Sequence, residues 1–158
     1  MLKSETKTKR FFVCVKGLVF NDKNQFLLIR RSKNDCVKPG CWEFSGGRLE
    51  FGETAEGALV REIYEETGLI VSCVSVINLW SCLWNKRSQL IGVNYLCITK
   101  DSKVALSCEH DKSNWLSLDK LDKIFNSYNI YNGLLEDMKG WNWKDFLDKI
   151  VKYRLCKM

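Results

Sequence analysis

Two apolar runs open the ordered pattern of this chain, Phe11 to Phe20 and Gln25 to Arg30, separated by "NDKN". Asn and Asp in the break favour a turn, so the pattern predicts a β-hairpin. The segment "SKNDCVKPG" carries the chain's single proline, Pro39, and has loop chemistry. It leads into "CWEFSGG". From about Thr54 to Thr67 the period changes to that of a helix: Thr54 suits an N-cap, and Gly68 suits the left-handed position after the last turn. "LIVSCVSVINLW" and "LIGVNYLCIT" predict two buried strands with "SCLWNKRSQ" as the turn between them. "NWLSLDKLDKIF" predicts a short strand entering a helix. Trp143, Phe146, Leu147, Ile150 and Val151 fall on the i, i+3, i+4, i+7, i+8 stripe of a terminal amphipathic helix. Strands mixed with a few helices, without regular βαβ alternation, predict an α/β fold: a mixed sheet in a layered α/β/α sandwich.

At 158 residues the chain fits one domain, expected over 11–158 behind a flexible basic tail at 1–10. Residues 11–20 follow a basic start as a signal peptide would, but Lys16 interrupts the run and no small-residue cleavage site follows. No apolar stretch approaches the roughly 20 residues that span a bilayer. Eight cysteines stand in mostly apolar runs and never as Cys-x-x-Cys, which predicts reduced core thiols rather than a metal site, with a disulfide framework as the alternative. The expected location is the cytoplasm.

The formal charge of +6 conceals a reversal. Between Gly47 and Leu69, six glutamates face only Arg48 and Arg61, a net of −4 that leaves +10 on the rest. A basic surround draws polyphosphate anions, and a nucleic-acid partner is the other use of such a field. At about 100° per residue, Glu62, Glu65 and Glu66 share one arc of the helix while Leu59, Val60 and Ile63 take the neighbouring one. Three carboxylates so placed repel each other unless neutralised. Without nearby His or Cys they are hard oxygen ligands, which points to Mg²⁺ or Mn²⁺ and to phosphate chemistry.

The same segment fits Gly-x5-Glu-x7-Arg-Glu-U-x-Glu-Glu-x-Gly-U, where U is a bulky aliphatic residue. Gly47, Glu53, Arg61, Glu62, Ile63, Glu65, Glu66, Gly68 and Leu69 fill the nine positions. This resembles the Nudix box at every defined position. The resemblance implies a loop-helix-loop catalytic box on an α/β/α sandwich, and hydrolysis of a nucleoside diphosphate linked to another moiety with a divalent cation as cofactor. It implies metal ligands at Glu62, Glu65 and Glu66 with the Gly46 carbonyl, supported by Glu53 and Arg61. The general base then falls to Glu62, with Glu66 the alternative.

"WEFSGGRLEFGET" is similar to the MutT-type branch, whose counterpart commonly reads Glu-Phe-Pro-Gly-Gly; here Ser45 replaces the proline. The MutT-like strand end "LLIRR" puts Arg31 near the nucleotide. Glu109, six residues before Trp115, matches a further acidic residue that approaches the metal. Asn129, one residue out of register, matches a base-reading Asn. His110 reads as a loop residue, and Trp80 and Trp84 as packing residues, with base stacking the alternative. The marker residues of ADP-ribose, dinucleoside polyphosphate and NADH branches are not evident. The expected activity is Mg²⁺-dependent hydrolysis of a nucleoside triphosphate or modified nucleotide, a small-molecule substrate, to a monophosphate and pyrophosphate. The alternatives are another linked substrate (ADP-ribose, a dinucleoside polyphosphate or an RNA cap) and a non-catalytic nucleotide binder.

Overall fold

The structure, a computed structural model, describes residues 8–157. Strand β1 (Arg10–Phe20) turns into β2 (Gln25–Arg31). Asn21 makes that turn: its Oδ1 accepts the amides of Lys23 and Gln25, and Asn24 takes a left-handed backbone with φ 56°. The short β3 (Trp42–Glu43) follows, then helix α1 (Ala55–Thr67), β4 (Ser72–Asn85), β5 (Ser88–Ile98) and β6 (His110–Ser117). After a 3₁₀ turn the chain closes with α2 (Leu121–Ser127), α3 (Asn132–Gly140) and α4 (Trp143–Cys156).

These strands form one mixed sheet in the order β3-β2-β1-β5-β4, with β6 also paired to β2. β1 runs parallel to β5 over its whole length, while the other named pairs are antiparallel. On one face α1 buries Ala58, Leu59 and Ile63 against Val15, Val19, Leu27 and Ile29. On the other, α2, α3 and α4 contribute Ile124, Met138, Phe146 and Ile150 to a core with Leu18, Phe20, Phe26 and Phe44. Helices on both faces of a mixed sheet give the expected α/β/α sandwich.

Both expected helix ends are present. Thr54 Oγ1 accepts the Gly57 amide, and Gly68, at φ 70°, donates its amide to the Tyr64 carbonyl. Of the terminal stripe, Phe146 and Ile150 are buried, whereas Val151 is half exposed. Two expectations need correction. Most of "SCLWNKRSQ" is strand, because β4 and β5 continue to a two-residue turn at Lys86 and Arg87. α3 lies where no helix was expected. The expected tail at 1–10 falls mostly outside the described residues; Arg10 already belongs to β1 and donates its amide to the Arg87 carbonyl.

All eight cysteines are free thiols. No helix among the described residues is long and apolar enough to cross a membrane.

Candidate functional site

The segment leading into α1 is laced to β1. Gly17 and Val15 donate their amides to the carbonyls of Ser45 and Gly47, and Leu49 donates to Val13, at 2.8–3.0 Å. This approach is so close that a Cβ on Gly46, whose φ is 132°, would collide with the Val15 carbonyl. Gly47 is equally constrained, because a Cβ there would strike the Glu62 carboxyl. The glycine pair therefore lets the chain pass between β1 and the carboxylates of α1.

Those carboxylates are held from two sides. Glu66 is nearly buried, and its Oε2 accepts the Ser45 hydroxyl at 2.7 Å and the Gly46 amide at 2.8 Å. Ser45, in place of the proline common to MutT-type sequences, thus supplies a donor that proline lacks. Arg61 is the other anchor. It makes a two-pronged ion pair with Glu53 at 2.7 and 2.9 Å, and its Nη1 reaches Glu62 at 3.0 Å and Glu65 at 3.2 Å. The Arg61 guanidinium, together with the Glu50 amide, lowers the Glu53 carboxyl to about 2. Glu62 moves the other way: burial raises its pKa, Arg61 opposes the shift, and the neighbouring charges of Glu66 and Glu65 add to it.

The residues fit a hard divalent cation. Glu62 Oε2, Glu66 Oε1 and the Gly46 carbonyl have no hydrogen-bond donor among the described residues, and the donor set is all oxygen. Two of the expected carboxylate ligands, Glu62 and Glu66, line one cleft with Gly46. Glu65 is turned to Arg61 and remains largely exposed, so no ready-made group of three His, Cys, Asp or Glu ligands exists among the described residues.

The cleft has a volume of about 940 Å³, and a cationic cluster stands beside the carboxylates. Lys16 Nζ lies 3.0 Å from Glu43, and Arg31 pairs with Glu43 at 2.8 Å and Asp35 at 2.5 Å. His110, buried at the start of β6 rather than in a loop, brings Nε2 to 3.5 Å from Glu43 and 3.9 Å from Glu66. Burial by itself would raise the Glu43 carboxyl; Lys16, His110 and Arg31 hold it well below the usual carboxylate range. Lys16, penalised by burial, is nevertheless raised by the charges of Glu43 and Glu66. Arg31 Nε and His110 Nδ1 are buried without a hydrogen-bond partner among the described residues.

Of the remaining expected residues, Arg31 and Glu109 line the cleft. Asn129 is exposed and outside that lining; its carbonyl accepts the Trp42 amide and its Nδ2 stands 3.5 Å from Cys41 Sγ. Trp80 and Trp84 both reach the cleft wall. The sequence reading gave no site role to Lys16 or Glu43 and took His110 for a loop residue. The available signal was Lys16 itself, a charge inside an otherwise apolar strand, which requires a buried partner.

A family model described as "NUDIX domain" matches residues 10–137. The chain is 34% identical over 113 residues to the ADP-ribose pyrophosphatase of Methanocaldococcus jannaschii, an alignment covering 71% of this chain and 65% of that relative, so it spans just under two thirds of the relative's length. It is 30% identical over 111 residues to a MutT-like protein of Streptomyces ambofaciens, covering 70% and 67%. The crystal structure of the MutT protein from Methanosarcina mazei Go1 superposes with a TM-score of 0.69 at 24% identity, covering 89% of this chain and 96% of that one, a likeness of fold.

Proposed function

The chain belongs to the NUDIX domain family, and on that premise we propose that it hydrolyses the pyrophosphate linkage of a nucleoside triphosphate or modified nucleotide, with Mg²⁺ or Mn²⁺ as cofactor. The observation that carries this reading is the convergence of Glu62, Glu66 and Gly46 in one cleft whose adjoining wall holds Lys16 and Arg31. Glu62, Glu66 and the Gly46 carbonyl would hold the ion, joined by Glu65 once it leaves Arg61 and by Glu109 from the cleft rim. A divalent ion bound there offsets the charge of the phosphate oxygens and polarises water.

The chain's own groups do the rest. Water attacks one phosphorus, the bridging P–O bond breaks, and pyrophosphate departs with the electron pair, leaving a nucleoside monophosphate. Glu62, oriented by Arg61, accepts the water proton. Glu66 is the alternative base, though two donors hold its Oε2. Arg61 fixes the orientation of Glu62 and ties Glu53 at the end of the loop to α1. Arg31 and Lys16 meet the substrate's phosphate oxygens, and preorganised charge supplies most of the rate.

The relative named ADP-ribose pyrophosphatase supports a second substrate, ADP-ribose, for the same site. Purified protein with Mg²⁺ or Mn²⁺, given a panel of nucleoside triphosphates, ADP-ribose, dinucleoside polyphosphates and capped RNA with product identification, separates these. Glu62→Gln is expected to lower kcat by about two orders of magnitude or more while circular dichroism and the unfolding midpoint persist. Turnover close to wild type would exclude Glu62 as base. Binding of nucleotides with no product from any substrate would replace the enzyme by a nucleotide-binding protein.

A further inference from the structure

Away from the carboxylates, the cleft wall carries a hydrogen-bond chain with one direction. Trp80 Nε1 donates to Asn94 Oδ1 at 3.2 Å, Asn94 Nδ2 donates to Asn78 Oδ1 at 2.9 Å, and Asn78 Nδ2 donates to Asp137 Oδ2 at 3.2 Å. The direction is fixed at its first member, because an indole N–H only donates. Asn94 must therefore present its oxygen to Trp80, Asn78 must present its oxygen to Asn94, and the last member must accept. A carboxylate meets that demand. The chain joins β4, β5 and α3, and Asn94 within it is 2% exposed. Trp80 is fixed further by lying over Gly92, where any Cβ would collide with the indole ring.

Asp137 ends this chain and lines the cleft, and its Oδ1 has no hydrogen bond among the described residues. Tyr131 and Leu134, at the start of α3, line the same cleft. The arrangement offers a ligand two adjacent acceptor oxygens, the free Oδ1 and the remaining lone pair of Oδ2, in a cleft that also holds the rings of Trp80 and Tyr131.

We propose that Asp137 reads the base of the substrate and selects a guanine-type edge; this rests on the nucleotide-hydrolase reading above. Guanine places two donors side by side, N1–H and the 2-amino group, matching the two oxygens of a carboxylate. Adenine sets its 6-amino donor beside the N1 acceptor, and cytosine its 4-amino donor beside the N3 acceptor, so in each the second carboxylate oxygen would face a lone pair. Uracil flanks its N3–H with two carbonyls. Asp137 is thus a specificity-determining residue, held in place by Asn78, Asn94 and Trp80.

The network makes the test sharp. In Asp137→Asn the Asn78 amide still requires an acceptor, so the new oxygen faces Asn78 and the new N–H₂ faces the cleft. An acceptor becomes a donor, which suits xanthine, where a carbonyl replaces the 2-amino group of guanine. Wild-type protein should favour GTP over ATP, ITP and XTP in kcat/KM by roughly tenfold to a hundredfold. The variant should lose that preference and gain on XTP by a similar factor. Calorimetric binding of GMP and XMP to both proteins provides a readout independent of turnover and should show the same exchange. Hydrolysis without base preference in the wild type, or a variant weakened equally towards GTP and XTP, overturns the assignment while leaving the hydrolase reading intact. If no nucleotide is cleaved, that reading fails instead, and the GMP/XMP binding exchange alone decides the role of Asp137.

Discussion

Gly17 sets how closely the carboxylate helix approaches the sheet, and the pair Gly17→Ala and Ile63→Val tests it. A Cβ at Gly17 would lie 2.7 Å from Ile63 Cδ1 and 3.5 Å from Leu59 Cδ1. The first contact is more than half an ångström inside normal carbon–carbon separation. Ile63 and Leu59 are both fully buried, so no side chain can swing into solvent, and α1 must retreat or Ile63 must leave its rotamer. Overpacking of this kind costs about 1–3 kcal/mol. Ile63→Val alone costs about 0.5–1.5 kcal/mol through the lost methyl group and the space it leaves. In the double variant the clashing Cδ1 is absent and the new alanine methyl enters its space. The double should therefore be more stable than the sum of the singles by on the order of 1 kcal/mol. Urea unfolding of the four proteins at one pH measures this. Retreat of α1 also draws Glu66 from Ser45 and Gly46, so kcat/KM should fall in Gly17→Ala and recover in the double variant. Additivity within about 0.3 kcal/mol, with unchanged activity, would refute the proposed contact.

Glu53 gives a pH dependence of definite sign. Its folded pKa is lowered from 4.5 to about 2, so its contribution to stability is complete above the unfolded value and is lost as the pH falls from about 5 towards 2. The gap in urea midpoint between wild type and Glu53→Gln should narrow across that window; a constant gap would exclude the Arg61 pair as its origin. Ser45→Ala removes one of the two donors to the buried Glu66 oxygen and should cost about 1.5 kcal/mol in urea unfolding, a loss that Ser45→Thr partly restores. Equal stability of wild type and Ser45→Ala would show that the Gly46 amide alone satisfies that oxygen.

The legible parts of the chain were those whose determinants lie close together in sequence. Thr54 and Gly68 mark both ends of α1 within a single stretch, and the spacing of Glu62 and Glu66 alone puts them on one arc. The β4–β5 turn was misplaced because Ser81, Asn85, Lys86 and Arg87 have loop chemistry, while the alternation that would mark a strand is broken by register shifts at 73/75, 76/78 and 83/85. α3 carries little signal of its own, because it spans nine residues with Gly133 and Gly140 near its two ends and its N-cap residue, Tyr131, makes no side-chain cap. Within the site, the pairing of Lys16 with Glu43 spans 27 residues, and that of Asn78 with Asp137 spans 59. Such contacts are set by how the elements pack, which no local pattern encodes.

The lacing of residues 45–49 to β1 limits where this protein can adapt to its substrate. The amides of Val15, Gly17 and Leu49 bond across the seam beside β1, so they should exchange with solvent only when that seam opens, among the slowest in the molecule. The carboxylate side of the cleft thus behaves as bedrock. Adjustment to a ligand should then fall to the other lining segments: the connection holding Val37, Lys38 and Cys41, with left-handed backbone at Lys38 and Gly40, and the start of α3 at Tyr131. Within one cleft, the glycine pair is tied to the sheet by backbone hydrogen bonds, whereas Asp137 is tied to it through side chains alone.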